Sequence, residues 1–145
     1  MHKADNIYLA FDFGMRRIGI AVGQGITRTA QPLCIILADK GEPKWTEIQS
    51  LIEQWQANAL VVGIPLNMDG TEQPIGQYAK SFAESLRHKF NLPVYEADER
   101  LSTIEARAQI FSTKIDKKRN PLSRTKKVDA QAAKVILEAW LNQQE

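Results

Sequence analysis

Residues 7–23 decide the fold, and they read IYLAFDFGMRRIGIAVG. Two runs of mostly β-branched, aromatic and aliphatic residues, Ile7 to Phe13 and Arg17 to Gly23, flank the short segment Gly14-Met15-Arg16. This pattern is typical of a β-hairpin with a tight turn. A third run, Pro32 to Leu37, predicts one more strand. The chain therefore begins with an antiparallel meander.

After the meander the hydrophobic period changes from two to 3.6, which indicates helices. Apolar residues at this spacing predict a helix from Trp45 to Trp55 and a second from Ile75 to Phe90. The short apolar runs Leu60 to Ile64 and Pro93 to Ala97 predict strands. This β-α-β alternation implies parallel strands covered by helices.

Two more helices are predicted in the last third of the chain, one beginning near Ser102 and one running from about Val128 to Leu141. We therefore predict a single α/β domain spanning residues 1–145. Its five-stranded mixed sheet would contain three antiparallel N-terminal strands and two parallel strands, with helices on both faces.

Composition narrows the class of protein. The 145 residues are 43% apolar with a formal charge of +2, as expected of one compact soluble domain. No apolar run approaches the roughly 20 residues of a membrane span, and charges interrupt any signal-peptide core. Cys34 is the only cysteine, so no intrachain disulfide can form, and we expect it to be a packing residue. A cytoplasmic protein fits these features.

The positive charge is concentrated in one segment. Residues 114–127 contain seven basic residues and one acid, whereas the rest of the chain has 12 basic and 16 acidic residues. Such a segment suits contacts with nucleic-acid phosphates, because neutralising a polyanion releases counterions. A solvated charged loop explains the same pattern equally well.

Asp12 is the most unusual acidic residue, since it lies between Phe11 and Phe13 in a strand expected to be central and buried. An ion there requires a compensating partner. A salt bridge to Arg16 or Arg17 would supply one, but a strand end beside a glycine turn is also where a site can open. We favour a functional role for Asp12.

Two further acids occupy ends of predicted elements. Asp98 and Glu99 end the fifth strand, and only one of them should face a shared site, because side chains alternate along a strand. Asp129 begins the last helix, where the helix dipole alone would also favour an acid. One mixed sheet could bring Asp12, Glu99 and Asp129 together.

Three converging carboxylates repel one another unless a cation compensates them. Mg²⁺ prefers oxygen ligands and retains waters, so phosphate oxygens of a substrate would complete its shell. Two such ions about 4 Å apart can promote phosphodiester hydrolysis. No Cys or His cluster has zinc-site spacing. We therefore predict a site for Mg²⁺ or Mn²⁺, holding one or two ions.

Four motifs, in this order and spacing, resemble the YqgF family, also called RuvX. They are Phe11-Asp12-Phe13-Gly14 with Gly19-Ile20-Ala21-Val22-Gly23, Val62-Gly63-Ile64-Pro65-Leu66-Asn67-Met68-Asp69-Gly70, Asp98-Glu99-Arg100-Leu101-Ser102-Thr103, and Lys127-Val128-Asp129-Ala130-Gln131-Ala132-Ala133. The resemblance covers nearly the whole chain. It implies a ribonuclease H-like fold, a distant relationship to the RuvC Holliday junction resolvase, and a nuclease role in maturing the 5′ end of pre-16S rRNA.

The resemblance also implies roles for single residues. It assigns the acidic positions of the family to Asp12, Glu99 and Asp129. Resolvases of the RuvC type commonly have a fourth acid three residues after the last of these, where this chain has Ala132. That departure implies fewer metal ligands.

Other polar residues are candidates for nucleic-acid contacts. Asn67, in the loop after the fourth strand, could hold a phosphate together with backbone amides. Arg16, Arg17 and Arg100 could bind phosphates in bidentate fashion, although a salt bridge to Glu99 or Asp98 explains Arg100 equally well. Contacts to the nucleic-acid backbone are predicted for Lys117, Lys118, Arg119, Arg124, Lys126 and Lys127.

The favoured function is a metal-dependent endonuclease that acts on pre-ribosomal RNA or branched DNA as a monomer or weak homodimer. One alternative is an RNA-binding assembly or transcription factor with a vestigial site. Another is an actin-like ATP-binding phosphotransferase fragment, because Asp12-x-Gly14 also resembles the first phosphate loop of those proteins. They close two domains around ATP, whereas 145 residues supply one.

Overall fold

The computed structural model describes residues 6–65, 74–99 and 130–144. The strands of this part are β1 (Ile7–Asp12), β2 (Arg17–Gln24), β3 (Thr29–Asp39), β4 (Glu42–Pro43), β5 (Ala59–Ile64) and β6 (Val94–Asp98). The helices are α1 (Trp45–Trp55), α2 (Pro74–Phe90) and α3 (Ala130–Gln143). The helix predicted from Ser102 and the basic segment lie outside the described residues.

The sheet has the predicted mixed topology, with the strand order β4-β3-β2-β1-β5-β6. Each of the strands β1 to β4 pairs antiparallel with the next one along the chain. On the other side of β1, β5 pairs parallel with β1 and β6 pairs parallel with β5. The predicted count of five strands is wrong, because the described residues form six. The additional strand β4 has two residues and contains a proline, too short for a hydrophobic period to reveal it.

Helices cover both faces of the sheet, α1 and α2 on one face and α3 on the other. Because side chains alternate along β1, each residue of this strand faces one of these two layers. Leu9 and Phe11 pack into the cluster that includes residues of α1 and α2. Tyr8 and Ala10 pack into the cluster that includes α3. Asp12 has the same parity as Tyr8 and Ala10, so it lies on the side covered by α3, called here the α3 face.

A tight turn between β3 and β4 holds the segment that follows Asp12. Lys40 and Gly41 both have positive φ, 52° and 85°, as a type I′ hairpin turn requires. The Gly41 amide donates a hydrogen bond to the Met15 carbonyl at 2.8 Å, and the Ala38 amide donates one to the Arg16 carbonyl at 2.8 Å. The β3–β4 hairpin therefore fixes the backbone that presents Arg16 and Arg17.

Cys34 of β3 packs at the edge of the core on the α1 and α2 side. Burial raises the pKa of its thiol above the ordinary value of 9.0, and the negative charge of Glu47 on α1 raises this pKa further. A thiol kept protonated at neutral pH is a poor nucleophile. This agrees with the packing role predicted from the sequence.

No helix in residues 6–65, 74–99 and 130–144 is both long and apolar enough to cross a membrane.

Substitution of Gly41 by alanine should destabilise the fold by about 1–3 kcal/mol. The new side chain would impose strain at φ 85°, and its Cβ would lie 3.0 Å from Cζ of Phe13. Urea unfolding measures this loss. Gly25→Ala is the matched control, since Gly25 lies in the β2–β3 turn without a positive φ. Equal losses in the two variants would contradict the role assigned to the turn.

The Cys34 thiol should ionise at higher pH in the folded chain than in the urea-unfolded chain, because burial disfavours the thiolate. Thiolate absorbance near 240 nm, followed against pH, gives both midpoints. Glu47→Gln should lower the folded midpoint slightly by removing a negative charge. Identical midpoints in folded and unfolded protein would show that the thiol is not buried.

Candidate functional site

Asp12 lies between two glycines in a row that runs across the sheet. It pairs with Gly19 of β2 in the antiparallel register. The parallel register pairs Phe11 with Val62, so Asp12 and Gly63 occupy the next positions on β1 and β5. Neither neighbour has a side chain, and the space beside the Asp12 carboxylate on the α3 face is not filled by its partners in the sheet.

Glu99 uses the space that Gly63 leaves. A Cβ added to Gly63 would lie 2.9 Å from Oε1 of Glu99 and 2.8 Å from Cδ1 of Ile136 on α3. The Glu99 carboxylate therefore lies over Gly63 on the α3 face. Since neighbouring strands are about 4.8 Å apart, this brings Glu99 to the strand next to that of Asp12.

The choice between Asp98 and Glu99, left open by the sequence, is decided by the faces of β6. Ala97 packs into the cluster on the α3 face. Glu96 has the opposite parity, and its carboxylate contacts Arg87 of α2 at 3.4 Å. Alternation directs Asp98 to the same side as Glu96. Glu99 is therefore the acid of this pair that shares a face with Asp12.

The Asp12 side chain is 0% exposed, and it is the one charged residue buried in the core of the described part of the chain. A carboxylate so far from water must be compensated by hydrogen-bond donors or by a cation, because its hydration is lost. Groups placed in such an environment are frequent at functional sites.

The other predicted site residues divide into two groups. Arg16 and Arg17 are exposed at the start of β2, close in sequence to Asp12. The remaining predicted residues lie outside the described residues: Asn67, Arg100, Lys117, Lys118, Arg119, Arg124, Lys126, Lys127 and Asp129. The structure therefore brings together two of the three predicted acids and leaves Asp129 untested.

Asp12 and Glu99 by themselves are too few ligands for a metal ion. Among the described residues, no group of three or more His, Cys, Asp and Glu side chains could hold a metal. Asp12 and Glu99 are hard oxygen donors on one face, the ligand type that Mg²⁺ and Mn²⁺ accept. The chemistry of this pair fits a divalent cation that takes further ligands from elsewhere.

Sequence reasoning missed the part played by Gly63. A glycine inside an otherwise fully apolar, buried strand weakens that strand, and it often marks a close approach by another group. That signal was present in residues 59–64. Only the packing of Glu99 and Ile136 shows which groups approach.

Comparison with known proteins gives relatives along the whole described chain. Residues 6–143 match the RuvX family, which is described as Holliday junction resolvase. A protein of Glaesserella parasuis serovar 5 is 54% identical over 138 residues, which cover 94% of this chain and 96% of that protein. A protein of Coxiella burnetii strain Dugway is 50% identical over 144 residues, covering 99% and 98%. Both are named as proposed nucleases of pre-16S rRNA.

Solved structures share the architecture at low identity. RuvC of T. thermophilus in complex with a Holliday junction substrate has a TM-score of 0.57 and 13% identity, covering 94% of this chain and 93% of that chain. The yeast mitochondrial Holliday junction resolvase has a TM-score of 0.52 and 13% identity, covering 97% and 79%. These likenesses concern the fold, and they confirm the predicted ribonuclease H-like class.

The contact between Gly63 and Glu99 can be tested by a double-mutant cycle. Gly63→Ala should destabilise the protein by about 1–3 kcal/mol through overpacking. The loss should be smaller by at least about 0.5 kcal/mol in a Glu99→Ala background, where one of the two close contacts is gone. Urea unfolding of the four proteins gives the coupling.

Glu96→Ala is the matched control for that cycle, because Glu96 lies on the opposite face of the same strand. Gly63→Ala should lower the free energy of unfolding by the same amount in the parent protein and in the Glu96→Ala background. Coupling to Glu96 instead of Glu99 would contradict the placement of the Glu99 side chain over Gly63.

Proposed function

Because this chain belongs to the RuvX family, we propose that it is a nuclease that hydrolyses phosphodiester bonds in structured nucleic acid, with 5′-end processing of pre-16S rRNA as its role. The observation that carries the proposal is the buried Asp12 carboxylate with Glu99 on the same face of the sheet. The names of relatives with about half of their residues identical support the RNA substrate. The family description supports Holliday junction resolution as the second candidate.

Asp12, Glu99 and Asp129 are proposed to hold a divalent cation, Mg²⁺ or Mn²⁺. Asp12 comes from a central strand paired on both sides, so its backbone cannot shift without breaking the sheet. Glu99 adds a second oxygen donor from the end of β6. Asp129 is included because the family motif occurs at residues 127–133. When bound, a hard divalent cation supplies Lewis-acid polarisation of the phosphate and lowers the pKa of the attacking water.

The two acids are placed for different tasks. Asp12 is fully buried, which excludes bulk water from its side of the site and strengthens electrostatic interactions there. Glu99 is half-buried, so solvent reaches its side of the site. Glu99 is therefore the acid of this pair that an attacking water can approach from bulk solvent.

Substrate binding is assigned to the exposed basic residues around this site. Arg16 and Arg17 follow Asp12 closely in sequence on backbone held by the β3–β4 hairpin, and their guanidinium groups can bind phosphates in bidentate fashion. Arg100, Asn67 and the basic segment at Lys117, Lys118, Arg119, Arg124, Lys126 and Lys127 would extend the contact along the nucleic-acid backbone. These contacts would carry little sequence information.

The protein is proposed to act in the cytoplasm as a single domain spanning residues 1–145, as a monomer or weak homodimer. A nuclease of ribosomal precursors must meet its substrate where ribosomes are assembled.

Replacing Asp12 by asparagine should lower the rate of cleavage about 100-fold or more, while the protein stays folded. The change keeps the size of the side chain but removes the charge of a proposed ligand. Mutating even the residues that only hydrogen-bond to metal ligands lowers metal affinity or activity by about 10–100-fold. Initial rates with Mg²⁺ and with Mn²⁺ are measured on a pre-16S rRNA fragment with its 5′ extension and on a four-way DNA junction.

Asp39→Asn is the matched control, because Asp39 is an exposed aspartate at the end of β3. It should cleave like the parent protein. Equal cleavage by the Asp12 and Asp39 variants would refute the assignment of the site. Salt-sensitive binding by the parent without cleavage of either substrate would favour the binding-factor alternative.

A further inference from the structure

The row of residues through Asp12 continues onto β3, where it meets apolar side chains. Gly19 pairs with Ile35, and Arg17 pairs with Leu37. Directly paired residues of antiparallel strands share a face of the sheet. Asp12 pairs with Gly19, so Ile35 and Leu37 lie on the α3 face with it.

This apolar pair is exposed to solvent. Leu37 is 70% exposed and Ile35 is 44% exposed, whereas Ile36 between them is 6% exposed in the core on the other face. Helix α3 covers the opposite end of β3, where Oε2 of Glu138 accepts a hydrogen bond from the Ala30 amide at 3.1 Å. Among the described residues, the end of β3 nearest Asp12 therefore presents an exposed apolar surface on the same face as Asp12.

Two exposed arginines, Arg16 and Arg17, adjoin one side of this surface. Residues 30–38 contain no charged side chain, while Arg17 is exposed directly opposite Leu37 and Arg16 is exposed next to it. Two strand spacings separate Asp12 from Ile35, a distance of roughly 10 Å. A strand bound at the site therefore passes over Ile35 within a few nucleotides.

We propose that Ile35 and Leu37 form a contact surface for the bases of unpaired nucleotides close to the cleaved phosphate, and so select nucleic acid with a single-stranded segment at the site. The inference rests on the proposed nuclease function. Bases in a duplex are stacked and cannot offer their faces, whereas unpaired bases can be splayed onto a protein surface. Arg16 and Arg17 hold the phosphates while the apolar pair contacts the bases.

Two features favour nucleic acid over a second copy of the chain. A two-fold interface centred on Leu37 would bring the exposed Arg16 and Arg17 of both copies together, with like charges repelling. Addition of a strand to the free edge of β3 is hindered by Pro32, which cannot donate a hydrogen bond, and by the register shift opposite Ile20 and Ala21.

The test compares Leu37→Ser with Ile26→Ser, a matched control because Ile26 is 64% exposed in the β2–β3 turn at the other end of the sheet. The probes are a fluorescein-labelled RNA hairpin with a single-stranded 5′ tail and a blunt hairpin with the same number of phosphates. Leu37→Ser should weaken binding of the tailed hairpin about tenfold, as expected for the lost burial of one leucine. The loss on the blunt hairpin should be no more than about twofold, and Ile26→Ser should change neither.

Two further measurements make the result specific. The slope of affinity against salt concentration should be unchanged in Leu37→Ser, because no phosphate contact is lost. Ile35→Thr, which keeps a β-branched residue in the strand, should shift the preference for the tailed hairpin in the same direction. Circular dichroism verifies that each variant is folded.

Equal weakening on both hairpins, or none, would overturn the inference. A change from dimer to monomer in Leu37→Ser during sedimentation would also overturn it, since the surface would then be an interface between copies. Cleavage by the parent and its loss in Asp12→Asn are scored separately. Tail-specific binding that is weakened in Leu37→Ser, without cleavage of either substrate, would refute the proposed nuclease function but support the base-contact surface. Cleavage that is lost in Asp12→Asn but unchanged in Leu37→Ser would support the nuclease function and refute the base-contact surface.

Discussion

A carboxylate buried at the centre of the sheet is the constraint that the rest of the site accommodates. Asp12 belongs to a strand paired on both sides and is fully shielded from solvent. Burying such a group costs several kcal/mol unless it is compensated in place. The neighbouring positions are glycines, which leave room on the α3 face, and Glu99 reaches into the room over Gly63. A core built for stability alone would fill that space with aliphatic side chains.

The two faces of the sheet have separate tasks. The face under α1 and α2 is a continuous apolar core with stacked aromatic rings, such as Trp45 on Phe82 at 5.7 Å. The α3 face is covered only in part: α3 packs over one end of β2 and β3, and the acids, the arginines and the exposed apolar pair lie toward the other end. Among the described residues, the same helix thus stabilises the sheet and leaves the end that carries Asp12 and Leu37 to the proposed nucleic-acid site.

Much of the architecture was predictable because it depends on periodicity. Alternation in residues 7–23 and helical spacing after Trp45 identified the hairpin, the helices and the ribonuclease H-like class, and the four motifs identified the family. The strand β4 was missed, because two residues cannot show a period. Asn67, Arg100, the basic segment and Asp129 lie outside the described residues, so their roles stay predictions.

The order of the described elements was determined by the sequence alone, and the candidate acids were predicted from it, since hydrophobic patterns and residue types are local properties of the chain. Which acid faces Asp12 was decided only by tertiary structure. The parity of Asp98 and Glu99 depends on where β6 ends and on its register with β5, and register is set by packing against distant residues. The exposure of Leu37 is likewise a tertiary property, because α3, about 100 residues later in the chain, packs over the opposite end of β3 within the described part of the molecule.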